Sequence, residues 1–139
     1  MLGKLATYLR MCGLDAAYAL DRKIEADDEL LALAREENRT LLTRDVQLAT
    51  RADDAMLLES KLVIDQLREL RAAGTDLALG EPERCADCNT RLTPVSPGKP
   101  TPGYAPDSDE QSVWCCPNCE KCFWKGSHWD DVRQTLEKL

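Results

Sequence analysis

CADC at residues 85–88 and CPNC at residues 116–119 are two C-x-x-C pairs in the last part of the chain. Two such pairs on short turns can place four thiolates at the corners of a tetrahedron, about 2.3 Å from one zinc ion. The 27 residues between the pairs exceed the usual spacing, and a proline-rich loop over residues 94–109 accounts for the excess. The ligands predicted for a structural zinc ion in a ribbon-like module are Cys85, Cys88, Cys116 and Cys119.

Three further cysteines lie outside this set. Cys122 could replace Cys116 as the partner of Cys119, because these two residues also form a C-x-x-C pair. We favour Cys116 because the Pro-Asn dipeptide inside CPNC forms a better tight turn. Cys12 is expected to be a small apolar core residue, and Cys115 stays unassigned.

Composition restricts the class of protein before any motif is considered. The 139 residues, 43% of them hydrophobic, fit one domain or a small domain with a metal-stabilised module. No apolar run approaches the roughly 20 residues that span a bilayer, and no signal-peptide cleavage site follows the N-terminus. We therefore expect a cytoplasmic protein without a membrane partner, in which cysteines favour metal over disulfides. The net charge of −7 disfavours non-specific binding of nucleic acid unless basic residues cluster.

The segment before the cysteines alternates between helix and strand patterns. Apolar periodicity predicts helices over residues 2–12, 27–37 and 62–73, strands over 15–19, 40–43 and 55–58, and a short helix from residue 46. Such alternation implies a parallel sheet with helical crossovers, and hence an α/β fold class. The predicted domains are an α/β domain over residues 1–80 and a zinc ribbon over 81–139, whose last helix spans 127–138 with Ser127 as N-cap.

Acidic residues stand at element ends that a parallel sheet could bring together. Asp45 follows the strand predicted over residues 40–43, and Asp27 and Asp28 open the helix before it. Carboxylates placed together repel one another unless a divalent cation neutralises them, and Mg²⁺ or Mn²⁺ bound in this way can activate water. The alternative is that Asp27 and Asp28 only cap their helix and that Asp45 begins a short helix. Spacing alone leaves both interpretations open.

Three stretches resemble the Mut7-C RNase family and occur in the same order as in that family. They are MLGKLATYLRMCGLDA (1–16), LLALAREENRTLLTRD (30–45) and FWKGSHW (123–129), accompanied by the C-x-x-C pairs. The resemblance implies a PIN-like parallel sheet flanked by helices, followed by a zinc ribbon, and metal-dependent cleavage of RNA by acidic residues. Asp45 is the best match to a metal-binding acid, with Asp28 or its neighbour Asp27 next.

The resemblance also implies a strand that this chain does not contain. Family members usually begin with a short strand that ends in an Asp shortly before the Met of MLGKLA, whereas this chain begins at that Met. We expect the sequence encoded just upstream to contain a short apolar run and an Asp. If that Asp has been lost, the alternative function is a non-catalytic module that binds RNA or a protein.

RNA is the partner that the resemblance implies, and no feature of the sequence identifies a protein partner. The function implied is a ribonuclease, a hydrolase dependent on Mg or Mn, whose structural zinc ribbon aids contact with RNA. Trp124 is expected on the RNA-facing side of the ribbon, while Trp114 and Trp129 are expected in the core. The residues expected to contact RNA are Lys4, Arg10 and Arg44 before the ribbon, and Lys121, Lys125 and His128 within it.

Overall fold

The computed structural model describes residues 2–139, which form two compact units. The first unit combines the N-terminal segment through Ala17 with Thr75–Leu139, and the second is Tyr18–Gly74. In chain order the elements are α1 (Gly3–Met11), a 3₁₀-helix (Ala19–Arg22), α2 (Asp27–Glu36), β1 (Leu41–Thr43), α3 (Val46–Arg51), β2 (Ala55–Leu57), α4 (Val63–Ala72), β3 (Thr93–Pro94), β4 (Trp114–Cys115), β5 (Cys122–Phe123) and α5 (Ser127–Glu137).

These elements confirm a mixed α/β fold with a small parallel sheet. The helices predicted around α1, α2, α3, α4 and α5 all form, with ends within one or two residues of their expected positions. By packing, α1 groups with the segment after Thr75. The sequence predicted an α/β domain over residues 1–80 and a zinc ribbon over residues 81–139. That division into two domains stays a prediction.

The second unit is built on two parallel strands. β1 pairs with β2 so that Leu41 lies opposite Ala55 and Thr43 opposite Leu57, and α3 lies between the two strands in the chain. The core side chains of this unit are Leu41, Leu48, Leu58, Leu67 and Leu70. Asp45 follows the C-terminal end of β1 in the chain. The parallel pairing of β1 with β2 is the arrangement that the alternation of elements predicted.

The strand predicted over residues 15–19 does not form, and that prediction was wrong. The backbone N–H of Ala16 donates to Asn89 Oδ1 at 3.1 Å, and its carbonyl accepts from Arg10 Nε at 2.8 Å. Side chains therefore satisfy the backbone groups that a neighbouring strand would otherwise have bonded. The chain then continues into the 3₁₀-helix Ala19–Arg22.

The core of the first unit receives one face of α1 and one face of α5. Leu5 and Leu9 of α1 are buried, and Trp129 and Leu136 of α5 are buried at the predicted helical spacing. α5 begins with Ser127 as its first helical residue, so Gly126 rather than Ser127 occupies the N-cap position. Trp129 is thus a core residue, as expected.

Three very short strands complete the first unit. They form an antiparallel sheet in the order β3-β4-β5, in which Cys115 lies opposite Cys122. These two cysteines form a disulfide, which the sequence analysis did not predict. The proline-rich loop is folded through hydrogen-bonded turns. For example, the buried hydroxyl of Ser108 donates to Lys99 O at 2.7 Å.

Arg10 is charged but only 4% exposed. Its Nε donates to Ala16 O at 2.8 Å and its Nη1 donates to Ala86 O at 3.1 Å. One side chain of α1 is therefore bonded both to the segment after the helix and to the turn between Cys85 and Cys88. This burial gives Arg10 a structural role, and the contact with RNA expected of it stays a prediction.

Arg10→Met should destabilise the first unit by about 2–4 kcal/mol, because it keeps the apolar stem but leaves two shielded carbonyls without their donors. The measurement is denaturant unfolding followed by tryptophan fluorescence, which reports on this unit because Trp114, Trp124 and Trp129 all belong to it. Lys4→Met, an exposed position on the same helix, is the control and should change stability by no more than about 0.5 kcal/mol. Equal effects of the two substitutions would contradict the role given to Arg10.

Candidate metal centre and nuclease site

The sulfurs of Cys85, Cys88, Cys116 and Cys119 form one group in the first unit. Cys85 Sγ lies 3.6 Å from Cys119 Sγ, and Cys88 Sγ lies 3.4 Å from Cys116 Sγ. All four sulfurs lie within 4.8 Å of one another. A tetrahedral zinc site with bonds of about 2.3 Å separates its sulfurs by about 3.8 Å. The donor set and its spacing therefore fit zinc, and the cluster could bind it as the sequence predicted.

Two backbone turns of the same kind position the sulfurs. In the first, Cys85 N–H donates to Thr90 O at 2.9 Å and Asn89 N–H donates to Cys85 O at 2.9 Å. In the second, Cys116 N–H donates to Lys121 O at 2.8 Å and Glu120 N–H donates to Cys116 O at 2.9 Å. The residue after each C-x-x-C pair, Asn89 or Glu120, has a positive φ of 70° or 67°. Each pair thus sits on an equivalent turn that closes through a left-handed residue.

Asn89 is a supporting residue that the sequence analysis missed. Its side chain accepts from Ala16 N at 3.1 Å and donates from Nδ2 to Asp15 Oδ1 at 2.7 Å, while its carbonyl accepts from Arg84 Nη1 at 3.1 Å. Asparagine tolerates the left-handed conformation better than most residues. An Asn directly after a C-x-x-C pair was the signal that could have identified it.

The pKa values of Cys88 and Cys85 are shifted in opposite directions. Burial works to raise the pKa of Cys88, but hydrogen bonds from Thr90, Asn118 and Cys116 outweigh it and lower that pKa to about 6. Burial raises the pKa of Cys85 far above its usual value. Since zinc binds thiolates, binding at Cys85 must release a proton. Zinc affinity should therefore fall as the pH falls.

The site has the character of a structural zinc site. Four thiolates leave no open coordination position for a substrate or water. His128 is not part of the cysteine group, as expected. The alternative pairing of Cys119 with Cys122 does not apply, because Cys122 is bonded to Cys115. Cys12 also lies outside the group, and burial, followed by the charge of Asp76, raises its pKa to about 11.

Asp45 occupies the N-cap position of α3. Its Oδ1 accepts from Leu48 N at 3.2 Å, and its own N–H donates to Thr43 Oγ1 at 3.1 Å. This is the capping arrangement that the alternative interpretation described, since an N-cap oxygen satisfies a free amide of the first turn. Only one carboxylate oxygen is used for the cap, and the side chain is exposed.

Asp27 and Asp28 lie in the first turn of α2, and both are exposed. Asp28 pairs with Arg51, the last residue of α3, whereas Asp45 precedes the first residue of that helix. Along the axis of α3, the backbones of Asp45 and Arg51 are therefore separated by about 9 Å. Among residues 2–139, the four cysteines form the only group of three or more metal-binding side chains whose ligand atoms all lie within 4.8 Å of one another. The three predicted acids are therefore not gathered into a group of that kind.

The basic residues predicted to contact RNA in the ribbon are exposed. Lys121 pairs with Asp87, and Lys125 Nζ lies 3.0 Å from Glu81 Oε1. His128 is exposed in the first turn of α5. Two of the three predicted contacts thus already have a carboxylate partner, which reduces the local positive charge.

Two predicted RNA contacts remain to be placed. Lys4 is exposed on α1. Arg44 directly follows β1 and is partly buried. The pKa of Glu69 is lowered mainly by the hydrogen bond from Glu59 N–H and, less strongly, by the charge of Arg44. Arg44 thus interacts with an acid of its own unit.

The chain belongs to the Mut7-C RNAse domain family, whose family model matches residues 1–136. The match covers nearly the whole chain, including the α/β elements and the four cysteines. No curated protein and no solved structure matches the chain. Among residues 2–139, no helix is both long and apolar enough to cross a membrane.

Cys85→Ser should lower bound zinc from about one ion per chain to near zero and destabilise the first unit, because the site then lacks a thiolate. Elemental analysis of the purified protein measures the metal, and thermal unfolding followed by tryptophan fluorescence measures the stability. Cys12→Ser serves as the control and should keep its zinc, since Cys12 lies outside the group. Zinc retained by Cys85→Ser, or lost equally from both variants, would show that the cluster is not the site.

Proposed function

We propose that this chain is a metal-dependent ribonuclease with a PIN-like α/β fold, in which Asp45 and Asp28 bind Mg²⁺ or Mn²⁺. The observation that carries the proposal is membership of the Mut7-C RNAse domain family over residues 1–136. The position of Asp45 at the C-terminal end of a parallel strand supports it, since α/β sheets place their sites at such ends. RNA is the substrate class that the family name implies.

Two carboxylates are enough for this kind of site. Mg²⁺ keeps several of its waters and is usually held by one or two carboxylates together with substrate phosphates. A bound divalent ion supplies an activated water and neutralises charge that develops on the phosphate. Asp45 can keep its cap through Oδ1 while its second oxygen serves as a ligand. Asp27, beside Asp28 in the first turn of α2, is the substitute if Asp28 stays paired with Arg51.

Arg51 and Arg44 provide positive charge close to these acids in the second unit. Arg51 pairs with Asp28, and Arg44 directly precedes Asp45. We propose that Arg51 exchanges this carboxylate partner for a phosphate when RNA binds, which would free Asp28 to bind the ion. Arginine suits this exchange because its planar fork binds carboxylate and phosphate in the same geometry.

A non-catalytic RNA-binding module is the second candidate, and one observation favours it. Asp45 already caps α3, and Asp28 is already paired with Arg51, so each has a structural role that needs no metal. Such a module would bind RNA through the ribbon and leave the phosphodiester intact. Only an assay of RNA cleavage distinguishes this binding module from the proposed enzyme.

Asp45→Asn should lower Mn²⁺-dependent cleavage of labelled single-stranded RNA by more than about 100-fold, because it removes a charged ligand to the ion. Asparagine is as good an N-cap as aspartate, so the melting temperature should change little. Asp28→Asn should act in the same direction. The measurement is the rate of product formation on a denaturing gel, with and without added Mn²⁺.

Asp53→Asn is the matched control for the acidic site. Asp53 is an exposed acid of the same unit and pairs with Arg35 at 2.8 Å, much as Asp28 pairs with Arg51. This variant should cleave as fast as the unmodified chain. No Mn²⁺-dependent cleavage by the unmodified chain, or full activity in Asp45→Asn, would overturn the enzymatic proposal. RNA binding without cleavage would support the second candidate.

A further inference from the structure

A cavity of about 290 Å³ lies entirely within the first unit. Its lining includes the aromatic side chains of Phe123, Trp124 and Trp129, together with Ala86 and Asp87 from the turn between Cys85 and Cys88. The cavity thus borders directly on one of the two cysteine turns. We infer that it binds a single unpaired nucleobase of RNA, an inference that rests on the proposed function for its choice of RNA as ligand.

The size and lining of the cavity suit a flat aromatic ligand. Ligand pockets start at about 300 Å³, are mainly apolar, and carry a few polar groups that orient the ligand. The few polar side chains at this cavity include Arg84, Ser127 and His128. Unpaired RNA bases are recognised in this manner, by stacking on aromatic rings and hydrogen bonds to their edges.

Trp124 contacts Tyr104 at the edge of the cavity. The ring centroids of Trp124 and Tyr104 are 6.0 Å apart with 33° between their planes, and Tyr104 Oη accepts from Cys122 N–H at 3.0 Å. Trp124 itself is only partly buried, so part of its side chain stays accessible. An accessible indole offers a large flat surface on which a base can stack.

Gly126 makes room for this indole. A Cβ at position 126 would lie 2.6 Å from Trp124 Nε1, closer than side chains tolerate. The backbone at Gly126 has φ −96°, which other residues adopt freely, so the glycine is needed for space rather than for conformation. The position of Trp124 therefore depends on the absence of one methyl group.

The charges near the cavity favour stacking over neutralisation of phosphate. Lys121 pairs with Asp87, and Lys125, the residue after Trp124, pairs with Glu81. With these cations already compensated, few counterions would be released when RNA binds, and the affinity should depend weakly on salt. Recognition through the base also explains how a chain with net charge −7 could bind RNA at all.

The test compares binding of two labelled RNA hexamers, one of unmodified adenosines and one with abasic riboses, by fluorescence anisotropy without added Mg²⁺ or Mn²⁺, so that the RNA is not cleaved and the cysteine cluster keeps its zinc. The adenosine hexamer should bind more tightly to the full chain. Trp124→Ala should raise its Kd by about 5- to 100-fold, the usual cost of one lost stacking contact. Binding of the abasic hexamer should not change. The slope of log Kd against log salt should have a magnitude of about 2 or less.

Gly126→Ala displaces Trp124 without removing it and should raise the Kd of the adenosine hexamer in the same direction. Gly80→Ala is the matched control, because a Cβ at position 80 meets no atom within 4 Å. Zinc content close to that of the unmodified chain shows that each variant is folded. Gly126→Ala remains informative if Trp124→Ala fails to fold.

Equal binding of the two hexamers would overturn the inference, as would unmodified affinity in Trp124→Ala and Gly126→Ala with zinc retained. Failure of the full chain to bind the adenosine hexamer would also overturn the inference. If cleavage with Mn²⁺ persists under any of these results, the inference alone is wrong. If the cavity variants lose base binding but the full chain cleaves no RNA, the nuclease proposal alone is wrong.

Discussion

The meeting of four cysteine sulfurs from segments 27 residues apart is the constraint on which the first unit depends. Its three strands have two residues each, which is too little sheet to stabilise a module of this size without help. A zinc ion bound by all four sulfurs would cross-link the two turns and close the long loop between them. The disulfide between Cys115 and Cys122 joins β4 to β5 beside the same cluster and adds a second covalent restraint.

The cysteine turns also organise the residues around them. Arg10 reaches from α1 to the carbonyl of Ala86, and Asn89 bonds the segment after that helix with both ends of its amide. The same turn lines the cavity through Ala86 and Asp87. The cysteine cluster, an N-terminal helix and an aromatic cavity therefore share one short stretch of chain. The geometry of the cavity consequently depends on the integrity of the cysteine turns.

The two units divide the chemistry proposed for this chain. The second unit holds Asp45 at the end of a parallel strand and Asp28 at the start of a helix, where acids of a nuclease are expected. The first unit holds the four-cysteine cluster and the aromatic cavity, to which the proposal assigns the binding of RNA rather than its cleavage. Because the ribbon lysines are paired with carboxylates, we propose base stacking rather than net charge as the physical basis of its affinity for RNA.

The sequence by itself determined the four-cysteine group, the five helices and the parallel strands, because these depend on local spacing and periodicity. Only the tertiary structure decided how residues distant in the chain pair. It joined Cys115 to Cys122, buried Arg10 against Ala86, and replaced a predicted strand at residues 15–19 with side-chain bonds from Asn89 and Arg10. It also placed Tyr104 and Gly126 around Trp124. Hydrogen bonds and ring contacts of this kind leave no periodic trace in a sequence, since their partners are set by the fold.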